Sequence, residues 1–190
     1  ISSNIGRMRN TGIELSLSST NFARRNFTWT TNFNMAHNSN KILELYNGVP
    51  TSFGSYAWME GYDSQTWNLV RWAGVDPSDG SPMWYDKNGN ITRTFSTANR
   101  VPSKTRTPLL SGGLVNNLSW KNWTLSFQIN YLIGGYALPT YAGLYFKDGY
   151  DIISENQAVE VYKYRWTTAG VPAKFPKVSN LSSKSAMNST

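Results

Sequence analysis

The sequence predicts an all-β protein whose antiparallel strands form part of a large transmembrane β-barrel with long extracellular loops. Three observations indicate this class. Polar and apolar residues alternate with a period of two in several segments, charged residues avoid those segments, and short connections alternate with long ones. These features are typical of strands that face lipid on one side and a water-filled interior on the other.

The most regular strand is predicted near residues 122–134, directly after a strand near 112–120. Six large apolar side chains occupy every other position in it: Trp123, Leu125, Phe127, Ile129, Tyr131 and Ile133. Ten steps of about 3.3 Å, tilted by about 40°, rise roughly 25 Å, the height of the lipid-facing band of a membrane barrel. We therefore predict an antiparallel hairpin over residues 111–135 that turns at Lys121-Asn122.

Two further strands are predicted near residues 10–18 and 27–36, joined as a hairpin. Both alternate apolar residues with residues that are mainly Ser, Thr or Asn. Although the chain holds 18 basic and 11 acidic residues, Glu14 is the only charged residue within the four predicted strands. A soluble sheet usually carries Lys, Glu or Arg on its wet face, so this distribution favours the crowded interior of a barrel.

The connections between the predicted strands differ in length. Two are short, near residues 19–26 and 121–122, whereas residues 37–110 and 136–190 are predicted long loops. Short turns on one side and long loops on the other are typical of outer-membrane barrels, which predicts that the short turns are periplasmic. Within the first long loop, Asn-Gly and Asp-Gly pairs predict tight turns, and residues 91–95 predict a short strand.

Aromatic residues gather at the ends of the predicted strands, next to both short turns. Four of them are predicted to lie at the membrane interface: Phe27, Trp29, Trp120 and Trp123. The alternative is ordinary cross-strand aromatic pairing, which needs no membrane.

No catalytic residue, metal site or cofactor is predicted. The chain has no Cys, and its only His is His37, so neither a choice of triad partners nor a two-His metal site exists in this sequence. Asp76, Asp79 and Asp86 share one loop, but the spacing around Asp86 does not match a calcium-binding loop, and turn formation explains these residues better. The formal net charge is +7 without any long basic run, so no nucleic-acid partner is predicted.

The first long loop is rich in aromatic residues and is the best candidate for a binding surface. Sugar rings stack on Trp and Tyr, and peptides use the same side chains. Six residues are predicted to contact substrate or a lid protein: Trp58, Tyr62, Trp67, Trp72, Trp84 and Tyr85. The alternative is that they form the core of the loop itself.

Several short phrases occur in order over nearly the whole chain. They are NIGRMRNTGIEL (4–15), FTW (27–29) leading to Asn34 and NKI (40–42), GVDP (74–77), GSPMWYDKNG (80–89), SGGL (111–114) and YRWT (164–167). Each is weak alone, but in this order and spacing they resemble the C-terminal part of the barrel of SusC/RagA-type TonB-linked outer-membrane transporters.

This resemblance implies that residues 1–190 are part of a barrel of about 22 strands in the outer membrane of a Bacteroidetes-type bacterium. It implies import of glycan or peptide fragments, a SusD-like surface lipoprotein as lid, contact with outer-membrane lipid and lipopolysaccharide, and energy from TonB. TonB would act through a plug domain that we expect, like the final barrel strands, to lie outside this sequence.

Two other readings make different structural predictions. A secreted all-β carbohydrate-binding module would bury Leu125, Phe127 and Ile129 against a second sheet, whereas a barrel segment would leave them exposed. A glycoside hydrolase would place two carboxyl groups, tested here on Asp76 and Asp86, about 5 to 9 Å apart with perturbed acidity. For the barrel segment we expect exposed Ile13, Leu15, Leu17, Leu125, Phe127 and Ile129, and unpaired edge strands.

Overall fold

The structure, a computed structural model, describes residues 6–139, 145–146 and 156–179. Its strands are β1 (Gly6–Arg24), β2 (Phe27–Leu45), β3 (Thr51–Phe53), β4 (Tyr56–Trp58), β5 (Thr66–Leu69), β6 (Trp72–Val75), β7 (Pro82–Tyr85), β8 (Ile91–Thr92), β9 (Val101–Thr105), β10 (Leu110–Trp120) and β11 (Trp123–Ile133). One short helix, α1 (Val159–Tyr164), and single 3-10 turns at Tyr46–Gly48 and Thr97–Asn99 complete the described elements. The predicted all-β antiparallel class is confirmed.

The largest sheet has four strands in the order β1-β2-β10-β11, and all its pairs are antiparallel. Trp120 pairs with Trp123, so β10 and β11 form the predicted hairpin with its turn at Lys121-Asn122. Lys121 takes a left-handed conformation with φ 53° in that turn. The strands β1 and β11 form the two edges of the sheet, as expected for a segment of a larger barrel.

The first hairpin is much longer than predicted. β1 and β2 each have 19 residues, and the turn between them is confined to Arg25 and Asn26 instead of residues 19–26. β2 also continues to Leu45, inside the predicted loop 37–110. Backbone pairing does not require apolar side chains, so the strands continue after the alternation of apolar residues has ended. A β-bulge between Thr20 and Phe22 accommodates the irregular stretch that hid the strand in the sequence.

The predicted loop 37–110 contains more strands than the one predicted within it. It contains seven short strands, β3 to β9, arranged in a sheet of order β3-β4-β5-β9 and a sheet of order β6-β7-β8. The strand predicted at residues 91–95 is present as β8 over Ile91–Thr92. Within the predicted loop 136–190, the described part includes α1.

The chain forms two compact units. The described residues of unit 1 fall within 1–52, 57–66 and 104–136, and those of unit 2 fall within 53–56, 67–103 and 137–190. Ile42 and Ala57 are buried in unit 1, whereas unit 2 buries Leu69, Val70, Val75, Trp84 and Val161. The hydrophobic core of unit 2 therefore belongs mainly to the loop residues, and the long strands of unit 1 bury little of their apolar surface.

Candidate functional site

One face of the four-stranded sheet is apolar and exposed. Cross-strand pairing aligns Leu17, Phe33, Leu114 and Ile129 in one row of this face. The six residues expected to be exposed, namely Ile13, Leu15, Leu17, Leu125, Phe127 and Ile129, range from 41% to 69% exposed. This expectation is confirmed, and the burial predicted for a carbohydrate-binding module is not found. We call this surface the apolar face.

The two short turns lie side by side at one end of the sheet. The backbone N–H of Lys121 donates to the carbonyl oxygen of Asn26 at 2.9 Å, which joins the two hairpins. Phe27, Trp120 and Trp123 form one cross-strand row beside these turns, and Trp29 follows in the next row. The structure therefore brings all four predicted interface aromatics together on the apolar face.

A polar cluster interrupts the apolar face and was not predicted. Asn116 is only 5% exposed, and its side-chain oxygen accepts hydrogen bonds from Trp29 Nε1 at 2.9 Å and Thr31 Oγ1 at 2.7 Å. Asn21 in turn donates to Thr31 Oγ1. The signal in the sequence was the polar residue Asn116 in a row otherwise occupied by Leu114, Leu118 and Trp120. Satisfying these groups within the sheet lowers the cost of placing them on an apolar surface.

The opposite face of the sheet is polar. On β2, β10 and β11 it carries uncharged side chains that can form hydrogen bonds, from the two short turns up to residue 40. Ser18 donates to Asn32 at 2.8 Å, Ser126 to Asn117 at 2.7 Å, and Gln128 to Asn130 at 2.7 Å. These groups can exchange hydrogen bonds with water or with a neutral polar solute. We call this surface the polar face.

The six aromatic residues predicted for binding have different environments. Trp58 and Tyr62 are exposed in unit 1, and Trp67, Trp72 and Tyr85 are half-buried in unit 2. Trp84 is 1% exposed, and its ring packs edge-on against Trp72 at 5.8 Å and Phe95 at 5.5 Å. Trp84 therefore offers no face to a ligand, and its prediction as a binding residue is corrected to a role in the core of the loop.

The three loop aspartates build turns. Asp76 accepts hydrogen bonds from the backbone N–H and hydroxyl of Ser78, Asp79 from the N–H of Ser81, and Asp86 from the N–H groups of Asn88 and Asn90. Each is a side-chain-to-backbone turn of the type that Asp favours. The predicted preference for turn formation is confirmed.

The acidity of these groups does not suit a glycosidase. The hydrogen bonds from Ser78, followed by Arg93, lower the pKa of Asp76 from 3.8 to about 2. Hydrogen bonds from Asn90 lower the pKa of Asp86 as well. A general acid needs a raised pKa, so this pair lacks the property that the hydrolase reading requires.

The single imidazole has a structural partner. His37 Nδ1 lies 2.7 Å from the carbonyl oxygen of Leu109, to which it donates. Within the described ranges, no cluster of three or more His, Cys, Asp or Glu residues is arranged to hold a metal ion. No helix among the described residues has the length and hydropathy to cross a membrane.

The chain is similar in sequence to several known proteins. The chain is 28% identical over 157 residues to TonB-dependent receptor P3 of Formosa agariphila, covering 70% of the chain and 16% of that relative. It is 24% identical over 150 residues to TonB-dependent receptor SusC of Bacteroides thetaiotaomicron, covering 70% of the chain and 15% of SusC. No family model matches the chain. The chain thus spans about a sixth of the length of these relatives.

Solved structures share the fold. The structure of the RagAB peptide transporter matches with a TM-score of 0.85 at 23% identity, covering 97% of this chain and 21% of that one. The RagAB peptide importer in its open-open state matches with a TM-score of 0.84. The fold is that of part of a TonB-dependent transporter barrel. The predicted resemblance to SusC/RagA-type TonB-linked transporters is confirmed by these similarities in sequence and fold.

Proposed function

We propose that this chain is a barrel segment of a TonB-dependent transporter that imports nutrients across a bacterial outer membrane. The observation that carries the proposal is the exposed apolar face, which has the alternation and height of a lipid-facing belt. The strands absent from this segment would pair with the free edges of β1 and β11, because an open sheet edge is not tolerated in lipid. A plug domain elsewhere in the longer transporter would receive energy from TonB.

The proposed cargo is a glycan or peptide fragment, captured with a SusD-like surface lipoprotein. Sequence similarity to SusC and fold similarity to the RagAB peptide transporter support this class of cargo and partner. On this chain, Trp58, Tyr62, Trp67, Trp72 and Tyr85 are the proposed contacts to substrate or lid, because flat aromatic faces stack on sugars and peptides alike. The protein would act by binding and translocation and not as an enzyme.

Growth of a deletion strain tests the proposed function. The gene for the full-length transporter is deleted, and growth is measured on single glycans and single peptides as the sole nutrient. We expect loss of growth on one class, restored by the wild-type gene. A strain that grows as well as its parent on every glycan and peptide in the series would refute the import role.

A matched pair of variants tests the proposed contacts. Trp58→Ala with Tyr62→Ala, in the complemented strain, should raise the substrate concentration for half-maximal uptake by about tenfold, as expected for the loss of aromatic anchors. Trp123→Ala, an exposed aromatic on the sheet, should leave it unchanged. Equal uptake curves for all three strains would remove the aromatic residues from the proposal.

A further inference from the structure

Two basic residues face each other directly on the side of the sheet that carries the apolar face. Arg9 on β1 pairs with Lys41 on β2, and both are exposed. Their positions share the face of Ile13 and His37, because side chains on a regular pair of strands alternate with a period of two. Like charges directly opposite each other destabilise a sheet unless an anion lies between them or close by.

The nearby carboxylates either contact another cation or lie on the other face of the sheet. Glu44 forms an ion pair with Arg7, with 3.9 Å between the guanidinium nitrogen and the carboxylate oxygen. Arg7 lies next to Met8 near the start of β1, across a β-bulge. Glu14 is paired with Ala36 and lies in the alternate set of positions, on the polar face. In the part of the chain that the structure describes, no ion pair joins Arg9 or Lys41 to an acidic residue.

Along the strands, the pair lies beyond the end of the apolar band, at the level of the headgroup layer of a bilayer. From Phe27 to His37, ten residues of a strand tilted by about 40° rise roughly 25 Å, the height of the lipid-facing band. Lys41 follows His37 by four residues, so its backbone lies about 10 Å beyond this band. Long Lys and Arg side chains reach back toward the interface, where lipid phosphates lie.

Hydroxyl groups and a fixed backbone complete the arrangement. Thr11 and Ser39 are paired in the row between the cations and the apolar face, and both are exposed. The amide of Asn40 donates to Asn10 at 2.6 Å on the other face. The backbone of Ile42 is hydrogen-bonded to Tyr62 and Gly61 at 2.9 and 2.8 Å. Lys41 is therefore held in a strand that is paired on both sides.

We propose that Arg9 and Lys41, with Thr11 and Ser39, bind a phosphate of lipid A in the outer leaflet. This inference rests on the proposed function, which places the end of the sheet opposite the short turns at the cell surface. Two cations one strand apart match the charge of a phosphate headgroup, and hydroxyl donors beside them complete its hydrogen bonds. The row of apolar side chains below would contact the acyl chains of the same lipid.

Retention of lipid A by the full-length transporter tests this site. The purified transporter is placed in phosphatidylethanolamine nanodiscs containing phosphorylated lipid A, and bound lipid A is counted by native mass spectrometry. Arg9→Gln with Lys41→Gln should lower the affinity for lipid A roughly thirtyfold. Arg9→Lys with Lys41→Arg keeps both charges and should retain it. Arg24→Gln with Lys121→Gln removes the same charge beside the short turns and should not affect lipid A.

The outcomes distinguish binding of lipid A at this site from nonspecific attraction between basic residues and lipid, and they test the site separately from nutrient import. Loss of lipid A in the Gln pair alone, together with weak binding of dephosphorylated lipid A by the wild type, supports the proposal. Equal retention by the wild type and the Arg9–Lys41 Gln pair would overturn it. Equal loss in the Arg24–Lys121 pair, or equal retention of dephosphorylated lipid A, would overturn it too. Nutrient uptake is assayed separately, so normal uptake with no effect on lipid A refutes only the lipid site.

Discussion

The four-stranded sheet and the loop segment 67–103 obtain their structure in different ways. The sheet leaves Ile129 and Leu125 at 51% and 60% exposed, although both belong to a regular antiparallel register. The loop segment instead buries Leu69, Val70 and Trp84 almost completely. A sheet that faces lipid on one side and water on the other needs only alternating apolar and polar residues along each strand. The loop must instead bury a small hydrophobic core of its own.

This difference also separates the two roles that we propose for the chain. The apolar face repeats similar chemistry in row after row, as expected of a surface that contacts lipid and recognises no specific solute. The loop segment combines aspartate turns, half-buried Trp72 and Tyr85, and a cation above the Tyr85 ring, since the Arg71 guanidinium lies 5.3 Å from its centroid. Variable side chains on a self-supporting loop are the usual place for recognition.

The largest expected effect comes from removing the centre of the loop core. Trp84→Ala should lower the local free energy of unfolding of residues 67–103 by about 3 to 5 kcal/mol, because it leaves a cavity between Trp72 and Phe95. Hydrogen exchange of the backbone amides in the full-length transporter measures this. The matched control is Trp123→Ala, since Trp123 is 75% exposed. Unchanged protection in Trp84→Ala would show that the loop has no core of its own.

A charge placed on the two faces of β11 should act differently. Ile129→Arg should destabilise the folded barrel by about 2 to 4 kcal/mol, because it places a charge near the middle of the lipid-facing band. Gln128→Arg puts the same side chain on the polar face and should have a much smaller effect. Urea unfolding of the full-length transporter in liposomes compares them, and equal destabilisation would contradict the assignment of the faces.

A smaller effect is expected at Gly112, the first of two adjacent glycines in β10. A Cβ on Gly112 would lie 2.1 Å from the carbonyl oxygen of Asn34 and 2.5 Å from the hydroxyl of Tyr131, whose ring crosses this position to donate to Asn34 at 2.9 Å. Gly112→Ala should therefore cost about 1 to 3 kcal/mol of barrel stability. At Gly113 the nearest atom would be 3.2 Å away, so Gly113→Ala is the milder control in the same unfolding assay. A larger cost for Gly113→Ala would contradict this packing.

The smallest effect is a pH dependence in the loop. Asp76 has its pKa lowered from 3.8 to about 2, so its contribution is fully present above pH 3.8 and is lost as the pH falls through 2. Amide exchange around Ser78 should accelerate, relative to its intrinsic pH dependence, over this range. Asp76→Asn keeps a turn-forming oxygen but has no charge to lose, so the extra acceleration should vanish. Its persistence in the variant would assign the effect to another group.

The sequence predicted the sheet better than the loop for physical reasons. The period of two places each side chain on a face, so the hairpin was located to its turn at Lys121-Asn122. Strand ends were missed where polar residues such as Asn40 continue the backbone pairing, because such residues leave no apolar pattern in the sequence. The burial of Trp84 depends on contacts with Phe95 and Trp72, whose positions are fixed by folding of the loop and not by any local pattern.

The central claim is that the apolar face contacts lipid while the polar face contacts water. Single cysteines at positions 125 to 130 of the full-length transporter, otherwise free of cysteine, are spin-labelled in lipid vesicles. Their collision rates with oxygen, which concentrates in lipid, and with a water-soluble nickel chelate are then measured. We expect oxygen to give maxima at 125, 127 and 129 and nickel at 126, 128 and 130. Two profiles in phase, or low oxygen collision at the odd positions, would contradict a lipid-facing β11.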